Sequence, residues 1–242
     1  MHRFYVQEED IAKDTIVLKA SQAKHAFLVL RLKAQDEVVV FDGKGKEYLT
    51  VVASISRGQG LLDIKKSQYL PEDKIKITLA AAIPKHSKFG DIVDRATQLG
   101  VNRIIPVITQ RTIVKIPKAK AKAKQTRWQK IAQEAAAQCS RVYAPEVEVI
   151  RDFKDVVKDA ARYKLALIGS LDKDNVPLKK ILKSHKQDQV IVFIGPEGDF
   201  SDQEMKLAKN KGCLAISLGG NVLRCETAVN AILAILNYEW RD

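Results

Sequence analysis

Two glycine-bearing segments in the last quarter of the chain hold the residue types best suited to gripping a small ligand. The first is Ile194-Gly195-Pro196-Glu197-Gly198-Asp199-Phe200, followed by Ser201-Asp202-Gln203-Glu204. The second is Leu218-Gly219-Gly220-Asn221-Val222-Leu223-Arg224-Cys225-Glu226-Thr227. Glycines let backbone N–H and C=O groups approach a ligand closely. Pro196 stiffens the first segment, and Glu197 supplies a carboxylate, which hydrogen-bonds a neutral or cationic group better than a phosphate. The chain has no Gly-x-Gly-x-x-Gly and no Walker pattern, so the usual phosphate cradles of dinucleotide and nucleoside-triphosphate sites are missing. Either segment alone reads as an ordinary turn; the pair is more informative.

The elements around them say where they sit. Residues 190–194 and 214–218 are continuous apolar runs, as expected for strands buried on both faces. Ser201-x-x-Glu204 is a capping box that starts a helix over 201–211. Strand-like runs over 75–82, 103–108 and 165–168 alternate with helical spacing over 87–99, 125–141, 152–161 and 227–238, with Gly100 as a C-terminal cap. This grammar predicts an α/β domain with a largely parallel sheet. Ligands bind outside the carboxyl ends of such strands, so both segments should meet at one crevice. Residues 1–70 read differently. Strands over 38–41 and 48–52 flank a Gly-containing hairpin connection, 61–69 is a further strand, and 21–30 is helical with Ser21 as its cap. Pro71-Glu72-Asp73 marks the boundary, giving a mostly β domain over 1–70 and an α/β domain over 71–242.

The net charge of +12 is localised. Residues 71–130 carry 14 Lys+Arg against 4 Asp+Glu, whereas residues 131–242 carry 16 of each. Such a stretch suits a polyanion, since each cation near a phosphate releases counterions; a merely solubilising face is the alternative. Residues 115–124, Lys-Ile-Pro followed by alternating Lys and Ala, carry like charges that predict a mobile basic loop, which either drapes along a phosphate backbone or is simply solvated. The three cysteines, Cys139, Cys213 and Cys225, and four scattered histidines form no readable zinc site or disulfide framework. No apolar run approaches the roughly 18 residues of a spanning helix, and residues 1–10 do not read as a secretory signal. A soluble, cytoplasmic chain without metal or membrane is the expectation.

These residues, in this order, resemble the ribosomal RNA small subunit methyltransferase E family. The resemblance runs through Gly195-Pro196-Glu197-Gly198 and Leu218-Gly219…Val222-Leu223-Arg224-Cys225-Glu226-Thr227-Ala228. It continues in Lys85-His86-Ser87-Lys88, Arg95-Ala96-Thr97-Gln98-Leu99-Gly100-Val101, Gln110-Arg111-Thr112, Arg127-Trp128…Arg141, and, near the start, Arg3-Phe4-Tyr5-Val6 and His25…Leu30-Arg31-Leu32. Asp199 stands where the family commonly has Gly, Asn221 where Arg is common, Cys225 where Thr is common and Gln98 where Glu is common. Asp tolerates positive φ better than most residues, so the first loop can survive.

The resemblance implies a SPOUT-type C-terminal domain with a deep trefoil knot, a PUA-like or β-barrel N-terminal RNA-binding domain, and a homodimer. It implies S-adenosylmethionine-dependent methylation of N3 of one uridine in 16S rRNA of the small ribosomal subunit. Gly195, Gly198, Leu218, Gly219, Asn221 and Leu223 would hold the cofactor. Neutral uracil N3 carries a proton, so the site needs a proton acceptor, Glu197 or Glu226, and a cation, Arg224, for the developing negative charge. The plainer alternatives are Glu226 favouring a helix N-terminus and Arg224 pairing with Glu197. Candidate RNA contacts are Arg3, Arg31, Lys85, Lys88, Arg111, Lys118, Lys120, Lys122 and Lys124, with Gln138 and Arg141 on the face shared by Arg127, Ile131 and Glu134. The last helix presents an apolar face for a dimer seam or for the core. Competing readings are a non-catalytic ribosome-assembly factor, motivated by Asp199 and Asn221, and an α/β enzyme acting on a soluble nucleotide.

Overall fold

The structure is a computed structural model that describes residues 1–56, 58–85, 89–172, 174–184 and 187–241, without the side chains of Lys118 and Ser184. It divides into two compact units, Met1–Glu72 with Gln133–Ala144, and Asp73–Ala132 with Pro145–Asp242. Residues 133–144 thus belong with the N-terminal unit, although they lie well beyond the Pro71 break.

The first unit is a five-stranded sheet in the order β1-β3-β4-β5-β2, from β1 (Arg3–Tyr5), β2 (Thr15–Leu18), β3 (Glu37–Phe41), β4 (Lys46–Ser56) and β5 (Gln59–Tyr69). Only β1 and β3 run parallel; the remaining pairs are antiparallel. Alternation in β3 and β4 turns Val38, Val40 and Val52 into a core shared with Phe4, Ile16, Leu18 and Leu62. The segment expected as one capped helix is α1 (Ala20–Lys24) continued by a π-helical turn, His25–Val29. Its N-cap is Lys19, with no side-chain cap bond, so Ser21 caps nothing and lies inside the helix. Burial of Ala23 and Ala26 against the sheet holds this element instead. The returning residues close a small second core in which Ala136 and Val142 pack on Phe41.

The second unit is an eight-stranded parallel sheet: β6 (Lys76–Ala82), β7 (Arg103–Ile108), β8 (Glu146–Val147), β9 (Arg151–Asp152), β10 (Leu165–Gly169), β11 (Val176–Pro177), β12 (Gln189–Ile194) and β13 (Leu214–Ser217). The order is β11-β13-β10-β12-β6-β7-β8, with β9 also on β7. Successive residues of β6 feed opposite faces, Leu79 and Ala81 one core and Ala80 the other, which is why its run is apolar throughout. One face is covered by α2 (Phe89–Gln98), the early part of α3 (Lys118–Gln138), α5 (Leu178–Ser184) and α7 (Cys225–Trp240). The other is covered by α4 (Phe153–Val156), the 3-10 turn that follows it, and α6 (Asp202–Asn210). The apolar face of α7, with Val229, Ile232, Leu233 and Leu236, goes to the core.

The caps follow local chemistry. Gly100 has φ +80° and closes α2, with Gly100 N–H donating to Thr97 O and Val101 N–H to Ala96 O. Ser201 and Glu204 form the capping box of α6. Residues 118–124 are helical, not a loop. Ala119, Ala121 and Ala123 are strong helix formers, and repulsion between exposed lysines costs only about 0.2–0.5 kcal/mol per pair. The same helix ends at Gln138, before Arg141, because Ser140 adopts φ +62° and turns the chain.

Candidate functional site

Three strands of the second unit end at one cleft. The loops after β10, β12 and β13 supply Gly169, Ser170 and Leu171; Gly195, Pro196, Glu197 and Asp199; and Leu218, Gly219, Asn221, Val222 and Leu223. Cys225 and Ala228 of α7 complete it, around about 620 Å³ of empty space including the open mouth. Both glycine segments therefore meet at the carboxyl edge of the sheet, as their position after buried strands requires. The loop after β10 escaped the sequence reading. Its signal was the same, since 165–168 is an apolar strand running into Gly169.

The first loop is braced from two sides. Asp199 sits at φ +60°, and its carboxylate accepts from Leu171 N–H (Oδ2, 3.1 Å) and from its neighbour Phe200 N–H (Oδ1, 2.8 Å). The departure from Gly at this position thus costs little and ties the loops after β10 and β12 together. Arg111 Nη1 donates to Gly198 O (2.8 Å) and Phe200 O (3.1 Å). Glu204 is buried yet satisfied: Oε1 accepts from Gln110 N–H (2.9 Å), and Oε2 from Ser201 N–H (2.9 Å) and the Ser201 hydroxyl (3.1 Å). Gly195 has Phe200 and Asp199 so close that an added Cβ would meet them at 3.1–3.3 Å, and Gly219 at φ +132° needs glycine for its backbone alone.

The charged candidates lie at the same rim. Glu197 lines the cleft, and its Oε1 accepts from Lys85 N–H (3.0 Å). Arg224 is exposed at the N-cap of α7, and among the described residues its side chain makes no hydrogen bond or ion pair, so it is not a partner of Glu197. Glu226 is half-buried in the first turn of α7, where a carboxylate favours the helix dipole. Gly198, Arg224 and Glu226 stand on these turns without lining the cleft. Cys225 is buried, with its thiol 3.8 Å from Ala82 O. Burial first, then the Glu197 and Glu226 carboxylates, push that thiol up to about 12, so it is a neutral packing group.

The proposed RNA contacts differ in how far their side chains are already engaged. Arg3 is held by Glu47 in a largely buried ion pair, with its guanidinium carbon 5.5 Å from the centre of the Phe41 ring. It builds the first unit's wall and is not an open phosphate ligand. Arg111 commits Nη1 to the loop carbonyls. Lys122 Nζ donates to Gln125 (3.0 Å), and Lys124 Nζ lies 5.8 Å from the centre of the Trp128 ring. Arg31, Lys85, Lys120 and Gln138 are exposed, and Arg141 is half-buried beyond the end of α3. Lys88 and the Lys118 side chain lie outside the described residues. Among the described residues no group of three His, Cys, Asp or Glu is placed to hold a metal ion, and no helix is long and apolar enough to cross a membrane.

Comparison with known proteins agrees with this architecture. Residues 71–237 match the family model for an RNA methyltransferase domain, and residues 18–65 that for an RNA methyltransferase PUA domain. The chain is 32% identical over 240 residues to the ribosomal RNA small subunit methyltransferase E of Synechocystis sp., covering 98% of this chain and 77% of that one. It is 31% identical to the same-named protein of Rickettsia conorii, covering 97% and 93%. Among solved structures, the Neisseria gonorrhoeae ribosomal RNA small subunit methyltransferase E bound to S-adenosylmethionine superposes with a TM-score of 0.89 at 28% identity, covering 99% and 98%. A Legionella pneumophila structure in complex with S-adenosylmethionine gives 0.89 at 30% identity, covering 98% and 96%. With a parallel-sheet domain whose loops converge on one cleft, a mostly β PUA-like unit and relatives matched over nearly all of this chain, the chain belongs to the ribosomal RNA small subunit methyltransferase E family.

Proposed function

We propose that this protein uses S-adenosylmethionine to methylate N3 of one uridine, of the uridine-1498 type, in 16S rRNA of the small ribosomal subunit. The observation that carries the reading is the convergence of the loops after β10, β12 and β13 on one cleft, with an exposed Arg224, unpaired among the described residues, between the lining residues Leu223 and Cys225. Ile194, Ile216, Leu218 and Leu223 give an apolar slot for an adenosine, and the backbone of Gly195, Leu218 and Gly219 offers the few polar groups such a site needs. Gly198 and Asn221 complete the two turns. Carboxylates at Glu197 and Asp199 suit a positively charged ligand, which supports a sulfonium cofactor over a phosphorylated one. When bound, S-adenosylmethionine supplies a methyl group on positively charged sulfur.

The chain's own residues prepare the acceptor. Glu197, the carboxylate that lines the cleft, takes the N3 proton; Glu226 does not line it and serves α7 instead. Arg224 holds the negative charge that then spreads onto the uracil carbonyl oxygens, leaving N3 as the nucleophile; the bound cofactor would supply the methyl group to it, sulfur keeping the electron pair of the carbon–sulfur bond as a neutral thioether. The N-terminal unit and the lysines of α3 position the RNA by its phosphates. We assign residues 1–70, joined by residues 133–144, to RNA binding and the remainder of 71–242 to methyl transfer, in a knotted, homodimeric, cytoplasmic enzyme. Exposed Val222 and Tyr238 support a partner subunit, and sedimentation of the purified chain tests it.

Calorimetry with S-adenosylmethionine, paired with mass-spectrometric mapping of methyluridine in 16S rRNA from a deletion strain with and without complementation, tests the reading. Saturable binding and one uridine that regains its N3-methyl are expected. A folded protein that binds no cofactor would leave only an RNA-binding assembly factor.

A further inference from the structure

We infer that the N-terminal unit holds a pocket for a single unstacked ribonucleotide of the RNA substrate, distinct from the cleft of the second unit. The inference rests on the reading of an RNA substrate and adds a second point of recognition to it. Residues of one unit form the pocket throughout: the start of the chain and β1, α1 with its π-helical turn, and the last turn of α3. His2, Arg3, Gln22, His25, Leu30 and Gln138 are among its walls. Its empty space is about 1170 Å³ including the mouth, against about 620 Å³ for the cleft measured the same way.

The lining chemistry selects a base and not a free phosphate. Arg3 is the Lys or Arg side chain among the lining residues and is already paired with Glu47, and the Glu134 carboxylate in the same wall offsets the positive Met1 amino terminus. Two carboxamides, Gln22 and Gln138, each present a donor beside an acceptor, the pattern that reads a base edge. The exposed imidazoles of His2 and His25 offer flat faces for stacking, and Leu30 adds an apolar surface beneath. The free positive charge is at the margin. Lys24 and Arg31, both exposed, directly adjoin the lining residues His25 and Leu30 in the chain. A base inside and phosphates outside is the arrangement this charge distribution favours. Single-stranded RNA can place a base there, whereas paired RNA keeps its base edges occupied.

The test uses the full chain. The four ribonucleoside 5′-monophosphates and a short single-stranded oligoribonucleotide are titrated in while the imidazole protons of His2 and His25 are followed by NMR. Saturable shifts that differ among the four bases are expected, and a fully paired RNA duplex should leave these signals in place. The Gln22→Ala/Gln138→Ala double variant should bind small-subunit RNA at least fivefold more weakly while its affinity for S-adenosylmethionine stays within twofold. Gln138→Glu, which keeps the size and removes the donors, should weaken RNA binding in the same direction. Imidazole signals that never move, or variants with unaltered RNA affinity, overturn the pocket. Wild-type protein that methylates 16S rRNA alongside such a result keeps the methyltransferase reading and loses only this inference. Nucleotide binding without any methylation does the reverse.

Discussion

The two edges of the parallel sheet use charge in opposite ways. Around the amino ends of its strands, Arg103 pairs with Glu146 (3.6 Å) and Glu148, Arg151 with Asp159 (2.8 Å), and Lys164 with Asp188 (2.8 Å). Each of these cations is closed onto a carboxylate. At the carboxyl ends, Glu197 and Asp199 accept from backbone N–H groups, while Arg224 is left without a partner among the described residues. A charge already matched contributes modest stability; an exposed, unmatched one is available to a ligand. The same sheet therefore has one edge whose cations are paired and another that leaves Arg224 open to a ligand, and the difference lies in pairing.

The sharpest way to break this contrast is to remove one arginine from each edge. Arg224→Ala should lower the single-turnover methylation rate at least about tenfold, equivalent to about 1.4 kcal/mol of barrier. Arg103→Ala should leave that rate within about twofold and reduce stability by about 1 kcal/mol in urea unfolding. Equal effects on turnover would erase the distinction. The lysines of α3 extend the comparison to RNA. Neutralising Lys118, Lys120, Lys122 and Lys124 should weaken RNA binding and flatten its salt dependence, by about 0.7–0.9 in the logarithmic slope for each phosphate left unneutralised. An unchanged slope would mean these cations touch no phosphate.

A smaller effect is expected at Asp199. Asp199→Ala loses both carboxylate bonds and keeps the φ of +60°, which costs most L-residues about 1–2 kcal/mol. Asp199→Gly loses the same bonds without that strain. Calorimetry should therefore rank affinity for S-adenosylmethionine as wild type, then Gly, then Ala; identical affinities for the two variants would discount the backbone argument. The smallest effect concerns the two buried thiols. Burial pushes Cys213, just before β13, up to about 12, and burial with Glu197 and Glu226 does the same to Cys225. An unfolded thiol ionises near 9. The stabilisation from keeping both thiols neutral is therefore complete below pH 9 and is lost as pH rises toward 12. Unfolding free energies measured from pH 8 upward should fall less steeply in a Cys213→Ala/Cys225→Ala variant. Glu197→Gln should speed alkylation of Cys225 and leave Cys213 unaffected.

Much of the second unit was legible because its signals are local. The unbroken apolar runs of β6, β12 and β13, the Ser201–Glu204 box and Gly100 each act within a few residues, and each appears where expected. Local rules also misled. Repulsion among the lysines of 118–124 suggested a loop, but alternating alanines made a helix. Ser21 looked like a cap, but the N-cap of α1 is Lys19, two residues earlier. The pairing of Arg3 with Glu47 and of Arg111 with the Gly198 and Phe200 carbonyls had no local signal, since these partners lie far along the chain.

From the order of residues alone came the parallel-sheet class and the strand–loop–helix junctions, since propensity, capping and burial periodicity act between near neighbours; the family came from the resemblance of whole motifs and from the relatives that match them. Tertiary structure decided which charges are consumed and which stay available, that the loop after β10 joins the cleft, and that residues 133–144 complete the N-terminal unit. Hydrogen bonds and ion pairs between distant segments have no local pattern; only the folded arrangement of β-strands and helices brings their partners within reach.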